Sequence, residues 1–298
     1  MSDYRLTNVF EINGKLTVAY TVEEAISIYR QYAPFDDIRE IRQVYGNTNN
    51  YSALMAGPVV CSCHCLELTH ITFTGIDEFT DIDRLVSIQQ RYPKAEFGVL
   101  MSKHWDEYTY RYPNPEFINA LRDRGLRLSG HLCGSLARDV FACMGGFCNV
   151  EKQFSSLLDI FQRVQLNVSG LTEYNSTEII PGPLQEIIIQ QGDDRRLFEQ
   201  CYVNNGEFIA LLLDKSGGSG VDTPIVIPQY AFRIHVGFAG GITPDNVIDK
   251  MNTITASSNV GKFWIDMESG VRTDDRFDLD KVEDVCEKVY DNFLTEKG

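Results

Sequence analysis

Three glycine-rich segments near the C-terminus contain the residue types that bind phosphate. Each directly follows an apolar run: LLLD is followed by KSGGSG, IHVGFA by GGITPDN, and FWIDM by ESG. Glycine allows close approach and positive φ, so backbone N–H groups can converge on an anion. One Gly-Gly pair is usually a tight turn, but three such ends in succession favour a phosphate site. The predicted phosphate-binding residues are Gly217, Gly218, Ser219, Gly220, Gly240, Gly241, Ser269 and Gly270.

Eight apolar runs provide the strands that would position these segments. The runs are THITFTG, EFGVLMS, RLSGHLCG, RVQLNVSG, EIIIQQ, FIALLLD, FRIHVGFAGG and KFWIDMESG. Runs that are apolar on both faces and alternate with amphipathic segments predict an α/β fold, a (β/α)₈ TIM barrel. A doubly wound open sheet is the alternative, but the first run lacks the Gly-rich loop that usually follows it. Because active sites form at the C-terminal ends of barrel strands, the glycine segments would be neighbours there.

Two helices of this barrel have clear sequence signals. Thr243 is a predicted N-cap, with Pro244 at the first helical position. The last helix, LDKVEDVCEKVYDNFL, would place one apolar stripe against the barrel wall. The stripe consists of Leu279, Val282, Val285, Cys286, Val289 and Phe293.

Residues 1–65 do not follow the strand–helix repeat. The segment VEEAISIYRQYAPFDDIREIRQVY predicts one or two helices, and GNTNNYSALMAGP predicts a loop. We therefore expect a mostly helical N-terminal extension over 1–65 and the barrel over 66–298.

The charge of the chain limits its partners. With a net charge of −15 and a pI near 4.7, the protein would repel nucleic acid and anionic membranes, so a phosphorylated small molecule must be captured locally. The first residues, MSDYRLTNVF, lack the apolar core of a signal peptide, and no run is long enough to cross a membrane. Eight cysteines without such a signal indicate reduced thiols and a cytoplasmic protein. The sequence leaves open whether the protein is a monomer or a homodimer.

The order and spacing of LLLDKSGGSG, FAGGITPDNV and IDMESGVRT resemble the phosphoribosylanthranilate isomerase family over about the last 140 residues. The family's corresponding segments are a leucine-rich strand ending in Asp before Gly-Gly-Thr-Gly, then Ala-Gly-Gly-Leu-Thr-Pro-Glu-Asn-Val, then Asp-Val-Ser-Ser-Gly-Val-Glu. The resemblance implies a phosphate-binding barrel, without metal or cofactor, that isomerises a phosphorylated ribose attached to an aromatic amine. The reaction is an Amadori rearrangement, in which the furanose ring opens and a proton leaves C2′.

The resemblance also implies catalytic roles. Asp214, at the end of the sixth strand, would be the general acid towards the ring oxygen. The family's basic cysteine falls on Thr74, whose hydroxyl is too weak a base for this proton. Asp77 is one candidate replacement, and a thiol–imidazole pair of His131 and Cys133 is another, because residues two apart on a strand share a face.

Residues for the rest of the substrate follow from the same resemblance. Gln165 matches a glutamine of the family's fourth strand, where Asn167 replaces a histidine. The family's arginine that holds the substrate carboxylate falls loosely on Arg111, and Lys103 lies closer to the second strand.

Other functions remain open at this point. The barrel could bind a phosphorylated ligand without catalysis, or it could be an epimerase or lyase acting on another sugar phosphate. An aldolase would need a Schiff-base lysine, and Lys215 is one residue out of phase with Asp214. The segment CSCHC at 61–65 could bind zinc, but it lacks a second Cys pair, so buried thiols are the favoured interpretation.

Overall fold

A computed structural model gives the architecture of most of the barrel. It describes residues 8–12, 15–19, 41–45, 66–104, 111–144, 152–167, 186–191, 208–216, 220–228, 231, 234–257 and 260–294. The chain divides into two compact units, residues 1–64 with 228–233, and residues 65–227 with 234–298. The CSCHC segment lies outside the described residues. Within those residues, no helix has the length and apolar character needed to cross a membrane.

The first unit contains a three-stranded antiparallel sheet. Its strands are β1 (Asn8–Ile12), β2 (Lys15–Ala19) and β3 (Ile41–Tyr45), in the order β2–β1–β3. The predicted helix over VEEAISIYRQYAPFDDIREIRQVY is therefore wrong at 41–45, where the chain forms a strand that pairs with β1. The remainder of that helix prediction lies outside the described residues.

The second unit is a closed barrel of eight parallel strands, and this confirms the fold expected from the eight apolar runs. Each strand pairs with the next along the chain, and β11 closes on β4. The strands are β4 (Glu67–Thr74), β5 (Ala95–Met101), β6 (Leu128–Cys133), β7 (Arg163–Asn167), β8 (Glu186–Gln191), β9 (Ile209–Asp214), β10 (Val236–Ala239) and β11 (Lys262–Met267). All seven residues of β5 are buried, as expected for a strand covered by helices on one face and by the barrel interior on the other.

Helices and short turns surround these strands. The helices are α1 (Ile82–Arg91), α2 (Pro115–Ala120), α3 (Gly134–Met144), α4 (Lys152–Leu158), α5 (Val247–Thr255) and α6 (Leu279–Val289). A 3₁₀ turn (Ser269–Val271) and a small hairpin, β12 (Arg272–Thr273) with β13 (Arg276–Phe277), follow β11. Helix α6 buries the predicted stripe except Phe293, which is half-buried in the π turn Tyr290–Leu294 that continues it. Carboxylate caps from Asp81 and Asp278 begin α1 and α6.

The start of α5 differs from the sequence prediction. The helix begins at Val247, after a turn over 244–246, and its N-cap is Asn246 instead of Thr243. The amide of Asn246 accepts a hydrogen bond from Thr243 N at 2.8 Å and donates to Gly241 O at 2.9 Å. This side chain therefore fastens the glycine turn after β10 to the first turn of the helix.

The barrel interior below the strand mouths is filled by an ionic network. Arg163 Nη1 contacts Glu96 Oε2 at 2.9 Å, and Arg163 Nε contacts Glu186 Oε2 at 2.7 Å. Glu186 is also bonded to His235 Nδ1 at 2.5 Å. Burial raises the pKa of Glu186, but the hydrogen bond from His235 and the charge of Arg163 outweigh it and hold that pKa below its usual value.

Trp264 packs against Arg163 of this network and leaves no space for a side chain at the neighbouring Gly237. The Arg163 guanidinium lies 4.3 Å from the indole centroid, and a Cβ added to Gly237 would overlap the indole ring. We expect Gly237→Ala to lower the free energy of unfolding by about 1–3 kcal/mol, because a fully packed interior cannot absorb an extra methyl group.

Denaturant unfolding of Gly237→Ala checks this expectation, with Gly237→Ala/Trp264→Leu as the matched control. The smaller side chain at 264 should make the alanine at 237 less costly than it is beside tryptophan. Equal costs in the two backgrounds would contradict the overlap.

Candidate functional site

A cavity of about 390 Å³ opens at the C-terminal ends of the barrel strands. Its wall combines residues from all eight strands and from the turns after some of them, together with Arg111 and Tyr112 after β5. The lining includes eleven residues predicted from the sequence: Thr74, Arg111, His131, Cys133, Gln165, Asn167, Asp214, Gly220, Gly240, Gly241 and Ser269. Nearly all the described site predictions therefore meet in one place.

Asp214 ends β9 at the cavity wall. Its Oδ1 accepts hydrogen bonds from Ser216 N at 2.9 Å and Ser216 Oγ at 2.6 Å, while Oδ2 accepts from Gln190 Nε2 at 2.9 Å. Asp214 as a whole residue is 6% exposed. These contacts hold its position and orientation without closing it off from the cavity.

Asp266 is a second cavity carboxyl group, and sequence reasoning missed it. It lies near the end of β11, and Thr74 Oγ1, on the adjacent strand, donates a hydrogen bond to its Oδ1 at 2.8 Å. Burial raises the pKa of Asp266 to about 7; the Thr74 hydrogen bond and the charge of Arg163 lower it, while Glu96 and Glu268 raise it further. A carboxyl group with this pKa can exchange a proton near neutral pH. An ionisable residue inside the apolar run FWIDM was the signal that could have found it.

Gly98 allows Thr74 and His131 to meet. It lies on β5 between their two strands, and a Cβ there would stand 2.6 Å from Thr74 Oγ1 and 3.0 Å from His131 Nε2. Across this gap, Thr74 Oγ1 lies 3.4 Å from His131 Nε2, which also contacts Ser129 Oγ at 3.1 Å. Burial lowers the pKa of His131 to about 4, so the imidazole is neutral at physiological pH.

The predicted thiol–imidazole pair does not form. Cys133 Sγ contacts the carbonyl oxygen of His131 at 3.8 Å and accepts a hydrogen bond from Asn167 Nδ2 at 3.3 Å, while the imidazole Nε2 faces Thr74 and Ser129. Although the two residues share a face of β6, they use different partners. Burial raises the pKa of the Cys133 thiol, which keeps it in the weakly nucleophilic thiol form.

Asp77, the other suggested base, has a structural position. It is 1% exposed, and its Oδ2 contacts Arg272 Nη2 at 3.2 Å and accepts from Phe277 N at 2.9 Å. These contacts fasten the loop after β4 to the hairpin after β11. Asp77 does not line the cavity.

The two predicted cations lie in different places. Arg111 lines the cavity, with Nη1 at 2.9 Å from Glu268 Oε1 and Nε at 3.0 Å from Asp275 Oδ1. Lys103 does not line the cavity, and its Nζ lies 2.5 Å from Asp139 Oδ2. Burial raises the pKa of Glu268 despite the charges of Arg111 and Arg272.

The glycine turns after β9, β10 and β11 pack directly on one another. Gly240 and Gly241 have φ of 108° and 67°, and a Cβ on Gly240 would overlap Thr223 Oγ1. A Cβ on Gly270 would overlap Ile242 O. Close contact between the turns therefore accounts for these glycines. Gly217, Gly218 and Ser219 lie outside the described residues.

No group of three or more His, Cys, Asp or Glu side chains within the described residues has the geometry of a metal site. The absence of a metal and of a cofactor stays a prediction. The structure describes the side chains of two of the eight cysteines, Cys133 and Cys286, and both are free thiols.

Comparison with known families confirms the resemblance stated above. Residues 150–288 match the family model of N-(5'phosphoribosyl)anthranilate isomerase, which covers slightly less than half of the chain. No curated protein matches the sequence.

Solved structures with similar folds have low sequence identity. N-(5'-phosphoribosyl)anthranilate isomerase from Pyrococcus furiosus is 14% identical, with a TM-score of 0.46 over 75% of this chain and 99% of that one. The Thermococcus kodakaraensis isomerase is also 14% identical, with a TM-score of 0.44 over 74% and 99%. A phospho-2-dehydro-3-deoxyheptonate aldolase from Thermotoga maritima is 11% identical, with a TM-score of 0.47 over 97% and 89%.

Proposed function

We propose that this protein isomerises an N-(phosphoribosyl) amine to the corresponding ketose by an Amadori rearrangement. The observation that carries the proposal is the position of two carboxyl groups, Asp214 and Asp266, on the wall of one cavity beside the glycine turns. The match of residues 150–288 to the isomerase family supports it independently.

The phosphate group would bind at the turns after β9, β10 and β11. Gly240 and Gly241 both line the cavity, and their carbonyl oxygens are held by Thr223 N at 3.5 Å and Asn246 Nδ2 at 2.9 Å. We assign the N–H groups of these two glycines as donors to the phosphate. Neutral backbone dipoles can hold an anion in a chain whose net charge is −15.

Asp214 would then act as general acid and Asp266 as general base. Asp214 gives a proton to the furanose oxygen as the bond from C1′ to that oxygen breaks, and the lone pair of the amine nitrogen forms a C1′=N double bond. The Asp266 carboxylate takes the proton from C2′. The electron pair of that C–H bond forms a C1′=C2′ double bond and the C=N pair returns to nitrogen, which leaves an enol. Asp266 then returns its proton to C1′, and the C2′ hydroxyl loses its proton to the Asp214 carboxylate as the C2′=O bond of the ketone forms. Both carboxyl groups regain their starting states, and the reaction needs no external oxidant or reductant.

The alternatives differ in what they require of the cavity. A Schiff-base aldolase is disfavoured because Lys215 is exposed and does not line the cavity. An epimerase or lyase acting on another sugar phosphate, or a barrel that binds phosphate without catalysis, would share the glycine turns. Turnover of a phosphoribosyl amine distinguishes the isomerase from both.

We expect Asp214→Asn to lower kcat by about 10²–10⁴-fold, because loss of a general acid leaves the ring oxygen without a proton donor. Ribose 5-phosphate should stabilise the variant and the wild type against heat by similar amounts, since asparagine retains a side chain of the same size next to the phosphate turns. The change in kcat is measured from the conversion of a panel of phosphoribosyl amines, followed by absorbance. The stabilisation by ribose 5-phosphate is measured by thermal shift.

Two results would overturn the proposal. One is that neither ribose 5-phosphate nor inorganic phosphate stabilises the wild type. The other is that the wild type and Asp214→Asn are equally inactive on every amine while phosphate still binds, which would leave a binding protein or an enzyme for another sugar phosphate.

A further inference from the structure

Gln165 has a buried hydrogen-bond acceptor with no protein partner. The residue is 3% exposed and lines the cavity, and its Oε1 is unpaired in the structure. Its Nε2 donates to Asn167 Oδ1 at 2.8 Å, and Asn167 Nδ2 donates to Cys133 Sγ at 3.3 Å. With the amides oriented in this way, Oε1 is the atom of Gln165 that faces the cavity without a partner. Because it is unfavourable to leave a buried acceptor unpaired, a hydrogen-bond donor on the ligand would stabilise the complex.

The cation expected to hold a substrate carboxylate already has two carboxylate partners. Arg111 is the single Lys or Arg side chain among the described residues of the cavity wall, and Glu268 and Asp275 occupy its Nη1 and Nε. Glu268 stands where the family motif has serine, so the family pattern does not include this ion pair.

The other ionisable carboxyl groups of the wall provide no cation for a substrate carboxylate. Asp214, Asp266 and Glu268 are the acidic side chains that line it, against the one guanidinium. A benzoate entering this space would approach three acids and would have to displace Glu268 from Arg111. Breaking a partly buried ion pair to form another leaves the displaced carboxylate without its partner, which is unfavourable.

We propose that the cavity takes a phosphoribosyl amine whose N-substituent is uncharged and donates a hydrogen bond to Gln165 Oε1, and that Glu268 excludes a carboxylate at that position. This inference rests on the proposed function and specifies its substrate class. Anthranilate, which carries a carboxylate next to its amine, is then a poor substituent for this chain.

A matched pair of stable analogues tests this proposal. Both carry 1-deoxyribulitol 5-phosphate on the amine nitrogen; one has 2-aminobenzamide as the amine and the other has 2-aminobenzoate, so that they differ by one amide. We expect the wild type to bind the benzamide analogue at least about ten-fold more tightly by calorimetry, since one hydrogen bond to a buried acceptor has that effect on affinity.

Variants assign the preference to the two residues. Glu268→Gln removes the carboxylate that pairs with Arg111 Nη1 and should tighten binding of the benzoate analogue by about ten-fold. Gln165→Leu removes the acceptor and should weaken binding of the benzamide analogue by a similar factor. Asp139→Asn is the matched control, because it removes a carboxylate that pairs with a lysine outside the cavity, and it should leave both affinities unchanged.

The outcomes separate this inference from the function on which it rests. If the wild type binds the benzoate analogue as tightly as the benzamide analogue or more tightly, the inference is overturned and the isomerase proposal stands. If neither analogue binds, and neither ribose 5-phosphate nor inorganic phosphate binds, the proposed function fails first. The comparison of analogues on the wild type remains decisive even if a variant does not fold.

Discussion

Asp266→Asn is expected to lower kcat by about 10³-fold or more, while the affinity for the reduced, unreactive analogues changes little. The carboxylate is the proposed acceptor of the C2′ proton, and an amide of the same shape cannot take it. Thr74 can still donate to the amide oxygen, so the hydrogen bond that positions the side chain at 2.8 Å has a replacement. Exchange of the C2′ proton with deuterated solvent, measured by NMR, should be lost in parallel with turnover.

The pH dependence of the wild type provides an independent readout of the same group. A base must be deprotonated, so kcat should rise with pH through about 7, the pKa to which burial raises Asp266. The ionisable side chains that act on Asp266 are Glu96, Glu268 and Arg163. His131, which is neutral, contacts the Thr74 hydroxyl group that donates to Asp266. Thr74→Val removes the hydrogen bond that lowers the Asp266 pKa and should move the rise of kcat, the ascending limb of the pH profile, to higher pH. Thr74→Ser retains the hydroxyl group and should leave this limb in place. An unchanged limb in Thr74→Val would contradict the assignment.

Stability should report the same pKa with the opposite trend. In the folded protein Asp266 titrates near 7, and in the unfolded chain near about 3.9, so the folded state binds the extra proton between these values. The stability that this proton contributes is fully present below about pH 4 and is lost as the pH rises through about 7. Asp266→Asn should lack this component, and its melting temperature relative to wild type should therefore increase between acidic and neutral pH.

Arg163→Met should lower the free energy of unfolding by about 3–5 kcal/mol, the largest stability effect that we expect in this chain. Arg163 is 3% exposed and is the shared cation of Glu96 and Glu186, which would remain buried without it. The methionine retains much of the volume beside Trp264, so the loss reports the charge and not a cavity. Chemical denaturation gives the difference.

Arg84→Met is the matched control for this prediction. Arg84 also pairs with two carboxylates, Asp280 and Glu283, but its side chain is 37% exposed. Exposed ion pairs contribute about 0–1 kcal/mol, so Arg84→Met should be nearly neutral. Similar losses in the two variants would show that burial of the network does not matter, and this result would contradict the explanation.

Most of the barrel could be read from the sequence, because its strands are the segments that are buried on both faces. Burial on both faces requires apolar residues at successive positions, and this pattern is visible without any tertiary information. The start of α5 was harder to predict, since Thr243 and Asn246 are both good caps and only the position of the Gly241 carbonyl group favours Asn246. At 41–45, pairing with β1 overrode a helical pattern, as tertiary contacts commonly do.

The residues that we propose as catalytic divide along the same line. Asp214 was predictable because it ends an apolar run before a glycine segment, and such ends meet on one face of a barrel. The proposed role of Asp266 depends on its pKa. Burial raises this pKa, and the hydrogen bond from Thr74 on the neighbouring strand lowers it in part. The contact of His131 with Thr74 likewise depends on Gly98, a residue from another strand.

The sequence by itself determined the order of the barrel strands, the place of the glycine turns and one carboxyl group at the strand mouths. These features are local, since each is encoded by residue types within a few positions of the chain. Only the tertiary structure decided that Arg111 is bound by Glu268 and Asp275, that Gln165 keeps an unpaired acceptor and that Asp266 titrates near neutral pH. The physical reason is that charge pairing, hydrogen bonding and burial depend on distances between residues that lie up to 192 positions apart, as Thr74 and Asp266 do.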